Sequence, residues 1–165
     1  IIPMLIIALL IRLSSKGPAL YWSDRVGKNN KIFKMAKFRS MQITTPVVAT
    51  HLLENPNSYL SPIGSFLRKS SLDELPQLFN VLKGNMSLVG PRPDLLQLED
   101  YTPMQARRFE VMPGMTGLWQ VSGKNSLSFD QMIELDLRYI KNCSMLTDLG
   151  ILLKTVLVLI NQHNE

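Results

Sequence analysis

SPIGSFLRKSSLDELPQLFNVLKGNMSLVGPRP, residues 61–93, is the stretch whose reading decides what this chain can fold into. Ile63 to Lys69 reads as a short helix. Leu72 to Lys83 places Leu75, Leu78, Phe79 and Leu82 on one helical face before Gly84 stops it. Between the two, Ser71-x-x-Glu74 has the form of a capping box, in which the serine accepts from a backbone N–H and the glutamate reaches back. Asp73 and Glu74 then open the second helix. Successive helical residues point about 100° apart, so these carboxylates cannot clamp one atom and must serve separate ends. Two readings stay open. The pair is either cap and dipole compensation, or one acid attacks or holds a metal while the other handles a proton or orients its partner. Gly90-Pro91-Arg92-Pro93 closes the stretch as a stiff loop, because each proline fixes its own φ and pushes the preceding residue out of the helical region. A guanidinium held this way is either a pre-organised fork for phosphate or carboxylate, or one half of an ion pair with Asp94 or Asp73.

Upstream, Ala19 to Tyr21 and Lys31 to Phe38 read as strands around a Gly27-Lys28-Asn29-Asn30 turn, giving a basic hairpin. From Arg12 to Arg39 there are eight basic residues against the single acid Asp24. Ahead of them runs IIPMLIIALLI, residues 1–11, too short to cross a bilayer, for which roughly 20 apolar residues are needed. Pro3 suits one arm of a kinked segment that dips in and returns. Cations just past an apolar segment are how a chain grips an anionic leaflet. Met41 to Pro62, interrupted by prolines, reads as loop with one short helix. Downstream, Leu95 to Phe109 reads as helix interrupted near Pro103. Pro113-Gly114 is a turn, Leu118 to Val121 a strand, and Phe129 to Lys141 an amphipathic helix with Asp130 to Asp136 on its polar side. Met145 to Ile160 is a last helix with Asp148 and Lys154 opposite its apolar stripe.

At 165 residues, 45% hydrophobic and 19% charged, the chain has the size of one domain and enough apolar matter for a core. A lone cysteine, Cys143, excludes a disulfide framework and any Cys-based zinc site. His51 and His163 lack metal-ligand spacing, and no phosphate-binding glycine loop or serine or cysteine triad is present. Net charge +5 and a pI near 9.5 point to an anionic partner. Besides Arg92, the basic residues Lys37, Arg39, Arg68 and Lys124 are candidate phosphate ligands. Three function classes fit: an enzyme acting on phosphates, a non-catalytic basic membrane-surface module, and a nucleic-acid binder. The apolar arm disfavours the last.

KGPALYWSDRVGKNNKIFKMAKFRSM (16–41), the 61–93 stretch and MPGMTGLWQVSGKN (112–125) resemble, in that order, the bacterial sugar transferase family, the monotopic polyprenyl-phosphate phosphoglycosyl transferases that start surface-glycan assembly. The resemblance implies transfer of a sugar 1-phosphate from a UDP-sugar to a polyprenyl (undecaprenyl) phosphate, with release of UMP. It implies magnesium as cofactor, Asp73 as nucleophile and metal contact, and Glu74 as its partner carboxylate. Lys37, Arg68, Arg92 and Lys124 match basic positions around the phosphates, Lys124 standing where relatives often carry arginine. The implied fold is α+β and mainly helical, with a small hairpin and amphipathic interfacial helices. Residues 1–13 would be the outgoing arm of a re-entrant membrane helix truncated near its break, and 14–165 a catalytic domain on the cytoplasmic face of the bacterial inner membrane. Membrane lipid is an expected partner, nucleic acid is not, and homo-oligomerisation is open.

Overall fold

The computed structural model describes residues 1–46, 54–94, 101–123 and 126–161. The fold is mixed, with about half of the described residues helical. It divides into two compact units, residues 1–22 with 36–76 and residues 23–35 with 77–165. The basic hairpin runs through both as β1 (Leu20–Val26) and β2 (Ile32–Phe38). Its turn closes where the sequence places it. Asn29 and Asn30 take φ of 55° and 61°, the left-handed region that asparagine tolerates, and Gly27 N–H donates to Lys31 O at 2.8 Å.

In the first unit α1 (Ile2–Ser14) buries Ile7 and Ile11 against Phe38 and Leu67, with Met4 and Ala8 completing the stripe at i, i+3, i+4, i+7. The opposite side of α1 is just as apolar and bare: Leu5, Leu9 and Leu13 are exposed. Leu67 comes from α2 (Gly64–Lys69). Pro56–Tyr59 forms a 3₁₀ turn, the one short helical piece described in the 41–62 loop, of which residues 47–53 lie outside the described set.

The second unit contains α3 (Gln77–Leu82), β3 (Ser87–Val89), α4 (Pro103–Ala106), β4 (Gly114–Thr116), α5 (Phe129–Lys141) and α6 (Met145–Asn161). β3 and β4 pair in parallel, Ser87 opposite Gly114 and Val89 opposite Thr116. Val89, Tyr139 and Ile151 make its core. The long helices α5 and α6 fall where the apolar spacing predicts them, α5 starting at a capping box formed by Ser128 and Gln131.

Four sequence expectations need correction. The helix over 72–83 is broken: Leu72–Glu74 is a 3₁₀ turn, and the α-helix begins only at Gln77, because Pro76 has no N–H to donate. The Ser71 capping box does not form. Ser71 sits at φ 54°, ψ 17°, and its side chain caps nothing. Leu118–Val121 is not a strand: Trp119–Val121 is 3₁₀. Asp136 is not on a solvated face but fully buried. The expected helix over 95–109 is described only as α4 and a 3₁₀ turn at Arg107–Glu110, residues 95–100 lying outside the described set.

The β3–β4 crossing explains two motif glycines. A Cβ on Gly90 would meet Met112 O and Gly114 N, and one on Gly114 would meet Gly90 N and Thr116 O, so the backbones approach as only glycine permits. Gly114→Ala should therefore lower stability by about 1–3 kcal/mol. Gly150→Ala in α6, where a Cβ meets nothing within 4 Å, should raise it by about 0.5–1 kcal/mol. Denaturant midpoints of the two variants check this pair, and equal behaviour would refute the packing argument.

Candidate active site

The acidic pair sits on a turn built by its neighbours. α2 ends at Lys69, Ser71 reverses the chain in the left-handed region, and Leu72 and Leu75 pack into the apolar core of the first unit. A non-glycine residue at positive φ costs of order 1 kcal/mol and persists only where packing over-determines it. Glu74 N–H donates to Ser71 O at 3.1 Å, closing the turn. Anchored by the two leucines, the turn buries Asp73, 8% exposed. Lys37 Nζ donates to Glu74 Oε1 at 2.8 Å, with both side chains about one-fifth exposed. The pair spans 37 residues and joins β2 to the turn. Arg68, in the last turn of α2, is exposed, and its carbonyl accepts from Ser71 N–H at 3.2 Å. The first unit therefore gathers Asp73, Glu74, Lys37 and Arg68 within α2, β2 and one turn. With no capping box formed, capping does not account for the acidic pair.

Arg92 belongs to the second unit. Pro91 and Pro93 have no N–H, so their loop is held through its carbonyls, each by a different donor. Gly114 N–H donates to Pro91 O at 2.9 Å, Arg108 Nη2 to Arg92 O at 3.2 Å, and Arg25 Nη1 to Pro93 O at 3.3 Å. Arg92 is half-buried between two buried prolines. Lys124 lies outside the described residues.

Sequence reasoning did not single out Arg108. It is 4% exposed and forked between two carboxylates, pairing with Asp94 through Nη1 and with Asp136 Oδ2 through Nη2 at 2.5 Å. Asp94 also accepts from Tyr101 Oη at 3.0 Å. Its ion pair with Asp94 was a role weighed for Arg92. Nothing in the local pattern distinguishes Arg108 from Arg107, whose side chain is exposed. Two acids share one buried cation, and burial, outweighing Arg108, pushes the Asp136 carboxyl up to about 6. Burial and then Asp94 push the Tyr101 hydroxyl up to about 12, which keeps it a donor.

Among the described residues no group of three or more His, Cys, Asp or Glu side chains gathers. The donor set still fits magnesium in its commonest phosphate-site mode, one or two protein carboxylates with substrate phosphates and waters as the other ligands. Asp73 and Glu74 are the carboxylates of this turn, and Glu74 accepts from Lys37 Nζ.

The chain belongs to the bacterial sugar transferase family, whose sequence pattern it matches over residues 1–162. It is 42% identical over 157 residues to the galactosyl transferase CpsE of Streptococcus agalactiae, covering 87% of this chain and 35% of the relative. It is 43% identical over 162 residues to the undecaprenyl-phosphate galactose phosphotransferase of Salmonella typhimurium, covering 88% and 34%. It is 39% identical over 160 residues to the UDP-N-acetylgalactosamine-undecaprenyl-phosphate N-acetylgalactosaminephosphotransferase of Aeromonas hydrophila, covering 93% and 38%. The chain thus spans about a third of the length of these relatives.

The Arg108 cluster has a testable pH signature. A carboxyl that holds its proton more tightly folded than unfolded favours the fold where it is protonated, so stability should fall as pH rises from about 4 to about 6. Asp136→Asn should remove that fall and leave stability at pH 7 equal or higher by about 1–3 kcal/mol. Arg108→Met, which strands two carboxylates, should cost about 3–5 kcal/mol. Thermal unfolding across this pH range decides it. Asp136→Asn proving more damaging than Arg108→Met would sink the charge-sharing account.

Proposed function

We propose that this chain carries the catalytic part of a phosphoglycosyl transferase that moves a sugar 1-phosphate from a UDP-sugar to undecaprenyl phosphate. The observation that carries the reading is a buried Asp73 on a strained turn, next to a Glu74 fixed by Lys37, in a chain of this family. The names of the relatives, undecaprenyl-phosphate galactose phosphotransferase among them, supply the substrate class.

The residues suggest the following course. The donor diphosphate repels an anionic nucleophile, so its charge has to be neutralised before a carboxylate can approach in line. Magnesium, when bound, supplies part of that neutralisation. Lys37 and Arg68 add fixed positive charge beside the acidic pair, and Arg92 offers a planar fork suited to a phosphate or carboxylate group. Asp73 attacks the phosphorus that bears the sugar. A carboxylate oxygen–phosphorus bond forms, the bridging oxygen–phosphorus bond breaks, and the electron pair leaves with UMP. A phosphate oxygen of the undecaprenyl acceptor then attacks the same phosphorus and frees the Asp73 carboxylate, so no proton has to be supplied. Glu74 keeps the Lys37 ammonium at the site rather than attacking. Two steps through one enzyme-bound intermediate let soluble UMP leave before the apolar acceptor arrives.

Membrane attachment fits the same reading. α1, apolar on both sides, would serve as the outgoing arm of a re-entrant helix on the cytoplasmic face of the bacterial inner membrane. No helix among the described residues is long and apolar enough to cross a membrane. α6 turns Leu149, Leu153 and Leu157 outward while Asp148 accepts inward from Tyr139 Oη at 2.7 Å, an arrangement suited to a lipid surface.

UMP release from the full-length protein in nanodiscs, with magnesium, undecaprenyl phosphate and a panel containing UDP-galactose and UDP-N-acetylgalactosamine, tests the proposal. Asp73→Asn should lose at least about 10³-fold in kcat with the fold intact. Lys37→Met should lose about 10–100-fold, and Arg92→Lys should raise the donor KM more than it lowers kcat, because charge survives but the fork does not. A folded Asp73→Asn protein with wild-type turnover would refute the nucleophile assignment. Release that ignores the lipid would refute the acceptor.

A further inference from the structure

Arg39 poses a problem that the proposed reaction does not solve. It is 6% exposed, yet Nε and Nη1 have no hydrogen-bond partner, and it makes no ion pair among the described residues. Among the described residues its side chain donates from Nη2 to Ser15 Oγ at 3.2 Å, and Ser15 Oγ in turn donates to Ile11 O at 3.1 Å at the end of α1. The guanidinium lies so close to the backbone that a Cβ on Gly17, itself at φ +101°, would overlap Nη1. Two motifs of the sequence, Lys16-Gly17-Pro18 and Phe38-Arg39-Ser40, are thereby packed together.

Burying a charge without a partner costs several kcal/mol, and such a group calls for an explanation. The surroundings make the cost worse. Arg12 lies near enough to depress the Arg39 guanidinium below its ordinary value, adding to the larger effect of burial. Lys16 is a third cation at the same corner, and no acid pairs with any of the three among the described residues. Beside them opens a cleft of 310 Å³ lined by Ser14, Ser15, Lys16, Gln42, Thr44 and Ile43. Its wall residue Ser15 is the Arg39 hydrogen-bond partner, and Ile43 flanks the same Gly17 position as Nη1.

We propose that this corner is an anion site for a phosphate monoester, bound in the cleft by Lys16 and the Ser14 and Ser15 side chains, with the buried Arg39 guanidinium behind Ser15 Oγ supplying charge rather than contact. A monoester carries close to two negative charges at neutral pH, which matches a cluster of three cations that no acid pairs among the described residues. The site uses neither Asp73, Glu74 nor Lys37, and so stands or falls apart from the transferase reading. Its position immediately after α1, whose outer side is bare apolar surface, suits a phosphate at the end of a lipid; a free phosphate carries the same chemistry.

The full-length protein is assayed in two ways. Thermal unfolding is followed with about 10 mM inorganic phosphate against sodium chloride of equal ionic strength. Flotation is measured with phosphatidylcholine vesicles that lack or contain about 20 mol% phosphatidic acid, a lipid monoester. Wild type should gain from at least one anion: a rise in Tm with phosphate, or at least about fivefold tighter binding to phosphatidic acid vesicles than to plain ones. Arg39→Gln and Lys16→Gln should lose that gain, and Lys83→Gln, which removes an exposed cation of the other unit, should keep it. Lys16 is exposed, so its variant reports even if Arg39→Gln fails to fold. A gain from phosphatidic acid alone names a lipid headgroup as the source, and a gain from inorganic phosphate names the soluble ion. No gain in wild type, or a gain equal in Lys16→Gln and Lys83→Gln, overturns the site.

Discussion

A carboxylate is costly to bury without a cation beside it, and two such pairs among the described residues bring the cation from far along the sequence. Lys37 reaches Glu74 across 37 residues and Arg108 reaches Asp136 across 28. Regular structure offers little alternative scaffolding. β3 and β4 have three residues each and α2 and α3 have six. Short elements carry few ladder bonds and small apolar faces, so specific polar pairs take a larger part in fixing the geometry. The Lys37–Glu74 pair does this where it matters most for chemistry. It fixes Glu74 beside β2, next to an Asp73 that is 8% exposed.

The Arg92 loop is the same constraint met from the opposite direction. Prolines make the loop stiff but strip it of donors, so it cannot anchor itself. Donors have to be imported, and two of the three are arginines, Arg25 and Arg108. Arg108 must be buried to do it, and its charge then requires Asp94 and Asp136. Burial pushes the Asp136 carboxyl up to about 6, the second carboxylate on the same cation adding a smaller effect. Part of the basic surplus of the chain is therefore structural, used to present one guanidinium in a fixed frame.

Much of this was legible in the sequence, but unevenly. The hairpin was, because two adjacent asparagines accept left-handed geometry at the turn; so were α5 and α6, whose apolar spacing runs over many residues. The turn at 71–75 was misread as a helix start because the serine–glutamate spacing of a capping box and the leucine spacing both fit, and Pro76 was given too little weight. Periodicity also finds an apolar face without saying what it faces. In α3 the buried residues are Gln77 and Asn80, Asn80 donating to Lys34 O at 2.8 Å, while Phe79 and Leu82 are exposed. Arg108 and Asp136 were beyond reach because an ion pair 28 residues apart leaves no local trace. The identity of Asp73, Glu74 and Arg92 as candidates came from pattern and resemblance together, and the pattern alone left both open.

α6 buries Ile151 yet leaves Leu149, Leu153 and Leu157 exposed, and α1 is apolar on both sides. In water, turning Leu82, Leu149 and Leu157 outward while amides, Thr155 and Asp148 turn inward forfeits roughly 1.5–3 kcal/mol for each large side chain left exposed. Against lipid that loss vanishes, and the polar groups gain from facing protein, where partners exist. Such faces suit a lipid surface better than water. The charges follow the same logic: Arg12 and Lys16 stand at the end of α1, at the depth where phosphate headgroups would lie if that helix entered a leaflet.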